Sequence, residues 1–165
     1  MNTKRQADMR HTYLFEEGTW RIEGEYISAD GSAAPLTGQS RIIHAPDAWD
    51  VSGQMTIRLV QGATFENHYT FQPMTPDQLE AQWSSINPSL GRLEGHLAVV
   101  DDSLLLRWHT VQGDSFGMEY LQWIEAGHYI DRGAMFSGGM RISSWSVDLH
   151  RIEPDRKLHE FTNHE

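Results

Sequence analysis

Along most of the chain, bulky apolar residues recur at every second position, the period of a strand with one dry face and one wet face. The pattern opens with Trp20, Ile22, Gly24 and Tyr26, interleaved with Arg21, Glu23 and Glu25. It is cleanest from Trp49 onward, where Trp49, Val51, Gly53, Met55, Ile57 and Leu59 oppose Asp50, Ser52, Gln54, Thr56 and Arg58. Further strands are expected over 38–45, 65–72, around Trp83, over 93–99, 104–108, 116–124 and 128–136, and in a last run ending at Ile152. Turn residues separate them: Asp30-Gly31, Gln61-Gly62, Asp101-Asp102, Gly127 and Ser137-Gly138-Gly139. Proline cannot donate a ladder hydrogen bond, and all six prolines are read as lying outside the strands. Thr75-Pro76-Asp77-Gln78 carries a capping Thr, Pro at the first helical position and Gln at the third, which predicts one helical turn.

Short strands at regular spacing, without a long amphipathic helix or internal repeat, predict an all-β antiparallel fold. If the first and last strands pair, the meander closes into an up-and-down barrel of about eight to ten strands and loses its edges. The barrel is expected over 18–152. A polar tail over 1–17 would precede it, with Tyr13-Leu14-Phe15 plugging one mouth, and a polar tail over 153–165 would follow it.

Composition narrows the function classes. The chain has 165 residues, long enough for one domain with a real core. Thirteen Lys and Arg against 23 Asp and Glu leave a net charge of −10, and the basic residues are scattered, so nucleic acid is excluded as a partner. Mean hydropathy is −0.53 and no stretch is apolar enough for a membrane helix. Residues Met1 to Thr12 lack the apolar run of a secretory signal, and there is no cysteine, so a cytoplasmic location is expected. A homodimer stays open as an assembly. The six Trp, five Tyr and six Phe suit a barrel interior or a pocket for a flat molecule.

Gly18-x-Trp20 at the start of the first strand, with Arg151 at the end of the last, resembles the signature of the calycin superfamily, which includes the lipocalins and the intracellular fatty-acid-binding proteins. The resemblance covers the order of the meander and these short motifs. It implies that Gly18 permits a tight approach, that Trp20 plugs one end of the barrel, and that Arg151 lies across the Trp20 ring as a cation–π lid. The chain has no Thr-Asp-Tyr motif before its later strands and no cysteine, which points to a bacterial-type or intracellular relative.

Nine histidines invite a metal, but no His-x-His or His-Glu-x-x-His spacing occurs, so no metal site is expected. No cofactor is expected either, haem on one barrel His being the minor alternative implied by nitrobindin-like calycins. The pairs Glu66/His68, Glu94/His96 and Arg107/His109 fall opposite apolar faces and read as exterior charge pairs.

The polar residues that share a face with apolar ones carry more chemistry. His44 follows Ser40 and Ile42 at spacing two, Tyr69 lies between Asn67 and Phe71, and Tyr120 with Gln122 falls in register with Phe116 and Met118. For the strand over 128–136 both faces are open: His128, Ile130, Arg132 and Ala134 point inward, or Tyr129, Asp131, Gly133 and Met135 do. Buried polar groups need partners, so a run of them suggests a cavity that holds a ligand.

A small hydrophobic or aromatic ligand is therefore expected inside the barrel, lined by Tyr26, Trp49, Met55, Tyr69, Trp83, Trp108, Tyr120, Arg132 and Met135. In the alternative reading the barrel is a cofactor-free lyase, cyclase or decarboxylase. His44 would then be its base, Tyr69 or Tyr120 its proton donor and Arg132 its anion anchor.

Overall fold

The computed structural model describes residues 10–59 and 61–152. Ten antiparallel strands follow one another: β1 (Gly18–Ser28), β2 (Ala33–His44), β3 (Trp49–Ile57), β4 (Ala63–Phe71), β5 (Glu80–Asn87), β6 (Gly91–Val100), β7 (Ser103–Thr110), β8 (Phe116–Glu125), β9 (His128–Ser137) and β10 (Met140–Ile152). Each pairs with its sequence neighbours, and β1 pairs with β10, so the sheet is a closed up-and-down barrel without a free edge. No helix long and apolar enough to cross a membrane occurs among the described residues.

The closing seam runs from Thr19 opposite Ile152 to Ser28 opposite Ser143, with Trp20 directly across from Arg151. Trp20, Ile22, Gly24 and Tyr26 point inward, and the register carries that face around the cylinder. It passes through Ser40 and Ile42, Val51 and Gly53, Tyr69, Trp83, Gly95, Leu106, Glu119, Asp131 and Val147.

The barrel has two unlike ends. One gathers the β2–β3, β4–β5, β6–β7 and β8–β9 connections and receives the segment 10–17. Leu14 is buried, Tyr13 meets the Trp20 ring edge-on at 5.2 Å, and Phe15 meets Trp49 at 5.9 Å. Polar bonds tie this plug to the wall. The Thr12 backbone N–H donates to the Tyr129 hydroxyl (3.0 Å), the Thr12 hydroxyl donates to the Ala126 carbonyl, and His11 spans Tyr129 and the Asp101 carbonyl. Among the described residues, the opposite end carries hairpin loops and nothing else. Strands β4 and β5 are paired over three residue pairs, from Tyr69–Ser85 to Phe71–Trp83, all toward the plugged end, and beyond them the Asn87 side-chain amide donates to the Asn67 side-chain oxygen across the seam (3.3 Å).

Three sequence expectations change. Strand β2 begins at Ala33, so Pro35 lies inside a strand. Its carbonyl accepts from the Arg58 backbone N–H (2.9 Å), and both groups of an extended residue face the same side. The missing donor therefore faces the side where β3 has ended and costs no ladder bond. Second, Thr75–Gln78 forms a turn without continuing into a helix. The Gln78 side chain does reach back to the Thr75 backbone N–H (2.8 Å), but β5 starts at Glu80 and leaves no length to propagate.

The third concerns Arg151. Its guanidinium engages Glu16 (2.5 Å) and the Glu17 carbonyl (2.8 Å), anchoring the plug, while Tyr13 and Tyr129 meet the Trp20 ring edge-on. A Cβ at Gly18 would stand 3.3 Å from Arg151 Nε, which explains glycine at that position.

Candidate functional site

The inner wall is papered with indoles laid flat. Trp83 is paired with Gly95, Trp108 with Gly117 and Trp145 with Gly133, each across one antiparallel step. A methyl group on any of these glycines would stand within 2.6 Å of the facing indole nitrogen, so each ring lies directly over its glycine. An indole held against the wall occupies the glycine's vacant side-chain space and leaves the lumen open. Several inward residues at mid-barrel (Gly53, Tyr69, Leu106, Glu119, Gly133 and Trp145) are correspondingly only half-buried although they face away from bulk solvent. That is the signature of an unfilled interior.

Within this aromatic lining sit two carboxyl groups. Glu119 on β8 pairs with Gly133, and Asp131 on β9 pairs with Leu121, so the two acids are diagonal neighbours on one inner face. The Trp145 indole N–H donates to Glu119 (3.2 Å). Burial pushes the Glu119 carboxyl above its usual range, with the neighbouring donors opposing that rise. Asp131 is pushed well above its ordinary value, first by burial and then by the adjacent Glu119 charge. Burial thus raises the proton affinity of both carboxyls, and repulsion from Glu119 raises that of Asp131 the more. Asp131 Oδ1 is buried without a hydrogen-bond partner, as is the Trp83 indole nitrogen. Tyr69, edge-on to Trp83 at 5.3 Å, faces the same space, and burial raises its phenol's proton affinity.

Of the lining residues expected from sequence, Tyr26, Met55, Tyr69, Trp83, Trp108 and Met135 lie on the inner face. Trp49 is inward too, but its ring stacks on His44 (4.1 Å, 12°) and belongs to the plug. His44 is held there by the Leu14 carbonyl (2.8 Å from Nε2), away from the carboxyl pair. It is the only inward-register histidine among the described strands. A haem iron would therefore find no free axial imidazole at mid-barrel, and the donor set does not fit that group.

Tyr120 and Arg132 are corrected. They pair with each other on the outer wall, and Arg132 bonds the Asp131 and Val147 carbonyls (2.8 and 3.1 Å). The register error in β8 has a physical cause: its outer face carries apolar Phe116 and Met118, both solvent-exposed, while its inner face carries Gly117 and Glu119. For β9 the second of the two open faces is the inner one, which brings in Asp131.

Sequence reasoning missed Glu119 and the role of Trp145, and held Asp131 only as one of two open facings of its strand. The available signal was the glycine facing each tryptophan: placing Gly117 opposite Trp108 fixes the register of β8 and turns Glu119 inward.

The sequence matches no family model and no curated protein. Among solved structures, the chain is similar to the S-type phycobiliprotein lyase CPES from Guillardia theta, with a TM-score of 0.65 at 10% identity, over 93% of this chain and 99% of that one. It is also similar to Rv2717c from M. tuberculosis, with a TM-score of 0.58 at 13% identity, over 82% of this chain and 92% of that one. At such identities the likeness speaks for the fold alone, and the fold is a calycin-like barrel.

Proposed function

We propose that the barrel binds a small, mostly hydrophobic or aromatic molecule in its lumen and that Glu119 and Asp131 recognise a nitrogen-borne donor or positive charge on it. The observation that carries this reading is the carboxyl pair itself, set among flat indoles with Asp131 Oδ1 unpartnered. The Asp131 carboxyl also interacts with Glu119 and the Trp145 indole, so a ligand N–H would reach a carboxyl pair with one oxygen still without a partner. The polarity is the reverse of what an inward Arg132 would have required: cationic or neutral donors in place of aromatic acids. The similar barrel of CPES belongs to a phycobiliprotein lyase, which is in keeping with this reading. The plug leaves the opposite mouth as the route inward.

The test pairs matched probes. Benzamidine and its larger diaryl analogues should quench tryptophan fluorescence saturably, whereas benzoate and its analogues should not. Asp131→Asn and Glu119→Gln should weaken amidine binding by at least about tenfold, the value of one charge-assisted hydrogen bond. Equal binding of both series, or indifference to both substitutions, would overturn the reading. Mass spectrometry of whatever co-purifies would identify the natural occupant.

A second reading rests on the same pair. A carboxyl that keeps its proton beside one that accepts it can act as general acid and base without a cofactor, so a lyase or isomerase would use Asp131 as donor and Glu119 as acceptor. Turnover abolished in Asp131→Asn with ligand affinity retained would favour it over simple binding.

A further inference from the structure

On the outer wall of β9 and β10, close to the plugged end, three potential metal ligands converge. His128 and His150 are register partners, their rings stacked at 4.2 Å and 21°. Asp148 lies on the same face as His150, two residues away, and its Oδ1 is 2.7 Å from His128 Nε2. One ligating atom from each of the three lies within 4.8 Å of the other two. We propose that His128, Asp148 and His150 form a binding site for a divalent transition cation, of which zinc, nickel and copper suit an N,N,O donor set best.

Several features favour a site over a chance meeting. The donors stand on two adjacent strands of a closed barrel, so their separation is fixed by the ladder and not by a mobile loop. The His128 side chain is only 22% exposed, so its imidazole is held in place by its neighbours. A tetrahedral ion keeps its ligands about 2.0–2.2 Å away, so donor atoms within 4.8 Å of one another must draw together by side-chain rotation to hold it.

The surroundings supply both help and competition. Glu23 lies opposite Asp148 on β1 and Glu125 opposite His128 on β8, each a further oxygen donor on this face. Arg21 faces His150 and pairs with Glu23 (3.2 Å), opposing a cation and holding that carboxylate back. Three protein ligands then leave a coordination position for water. A bound ion would clamp β9 to β10 beside Arg151, the residue that anchors the plug. No sequence motif advertises the site, because Asp148-x-His150 supplies two ligands from one strand and His128 arrives across the ladder.

The experiment uses the tag-free full chain, stripped with EDTA and titrated with zinc chloride against a chromogenic chelator. One equivalent should bind with a micromolar or tighter constant and raise the melting temperature. His128→Ala, His150→Ala and Asp148→Asn should each weaken it by about tenfold or more, while His96→Ala and His109→Ala, distant on the outer wall, leave it unchanged. The metal-free melting temperatures of all five variants check that they fold, and Asp148→Asn keeps the shape if a histidine variant does not. Absence of stoichiometric zinc binding in the parent chain would overturn the proposal. So would binding that survives both histidine substitutions, which would leave a simple His–Asp hydrogen bond in its place.

Discussion

Gly133 lies beneath the Trp145 ring, and Gly133→Ala tests how the lumen is kept open. On backbone grounds alone, alanine in an extended strand should stabilise the fold by about 0.4–1 kcal/mol, because it restricts the unfolded chain. The packing term has the opposite sign and is larger. The new methyl would stand 2.6 Å from Trp145 Nε1 and nearer still to the ring carbons, against an optimal separation of about 3.5–4.0 Å. The indole must retreat by roughly 1.5 Å into the lumen, an overpacking penalty of about 1–3 kcal/mol. That movement also strips Glu119 of its indole donor, which adds about 1–3 kcal/mol for a buried carboxyl left short of a partner.

A net loss of about 2–5 kcal/mol is expected for Gly133→Ala by urea denaturation followed by circular dichroism. Gly95→Ala serves as the comparison. Its clash with Trp83 is equally close, but the Trp83 nitrogen has no partner to lose, so a net of about 0–2.5 kcal/mol is expected after the same backbone gain. Replacing Trp145 by Val in the Gly133→Ala background should remove most of the packing penalty, giving a coupling of more than about 1 kcal/mol in the double-mutant cycle. If Gly133→Ala is neutral or stabilising, or if its cost is the same with Val at 145, the picture of indoles resting on glycines is wrong.

Asp131→Asn should alter the pH profile as well as ligand binding. Asp131 holds its proton more tightly folded than unfolded, so its contribution is fully present below the unfolded carboxyl range and is lost as pH rises through the raised folded value. The parent chain should therefore lose stability across that window on going toward alkaline pH, and the variant should lose less, read as the urea midpoint against pH.

His11 works in the other direction. Burial lowers its pKa against opposing help from the Asp101 carbonyl, so the folded plug prefers neutral imidazole and loses stability as pH falls below about 6.5. His11→Gln should flatten that acid limb while the parent shows it. Tyr120→Phe should change ligand affinity by less than about twofold and stability by less than about 0.5 kcal/mol, because the phenol lies outside the barrel with one long contact to Ser103 (3.4 Å). A large loss of binding there would return Tyr120 to the site.

The alternation from Trp20 to Leu149, with turn residues between the runs, was enough to determine an all-β antiparallel meander and its ten segments, because sheet pleating imposes period two on any strand with one wet face. That the chain's two ends meet, with Trp20 across from Arg151, came from the resemblance carried by Gly18-x-Trp20 and Arg151, and the ladder register bears it out. The limit of the alternation was the facing of β8 and β9. Hydrophobicity reports which face is dry only where the interior is filled with apolar side chains, and an incompletely filled interior with polar groups in it reverses that logic. It turns Glu119 and Asp131 inward and leaves Phe116 and Met118 in solvent. Tertiary structure alone decided which tryptophan lies over which glycine, which two acids meet on the inner wall, and which histidines meet outside it. Those are distances between strands, set by ladder register, and no single strand's composition contains them.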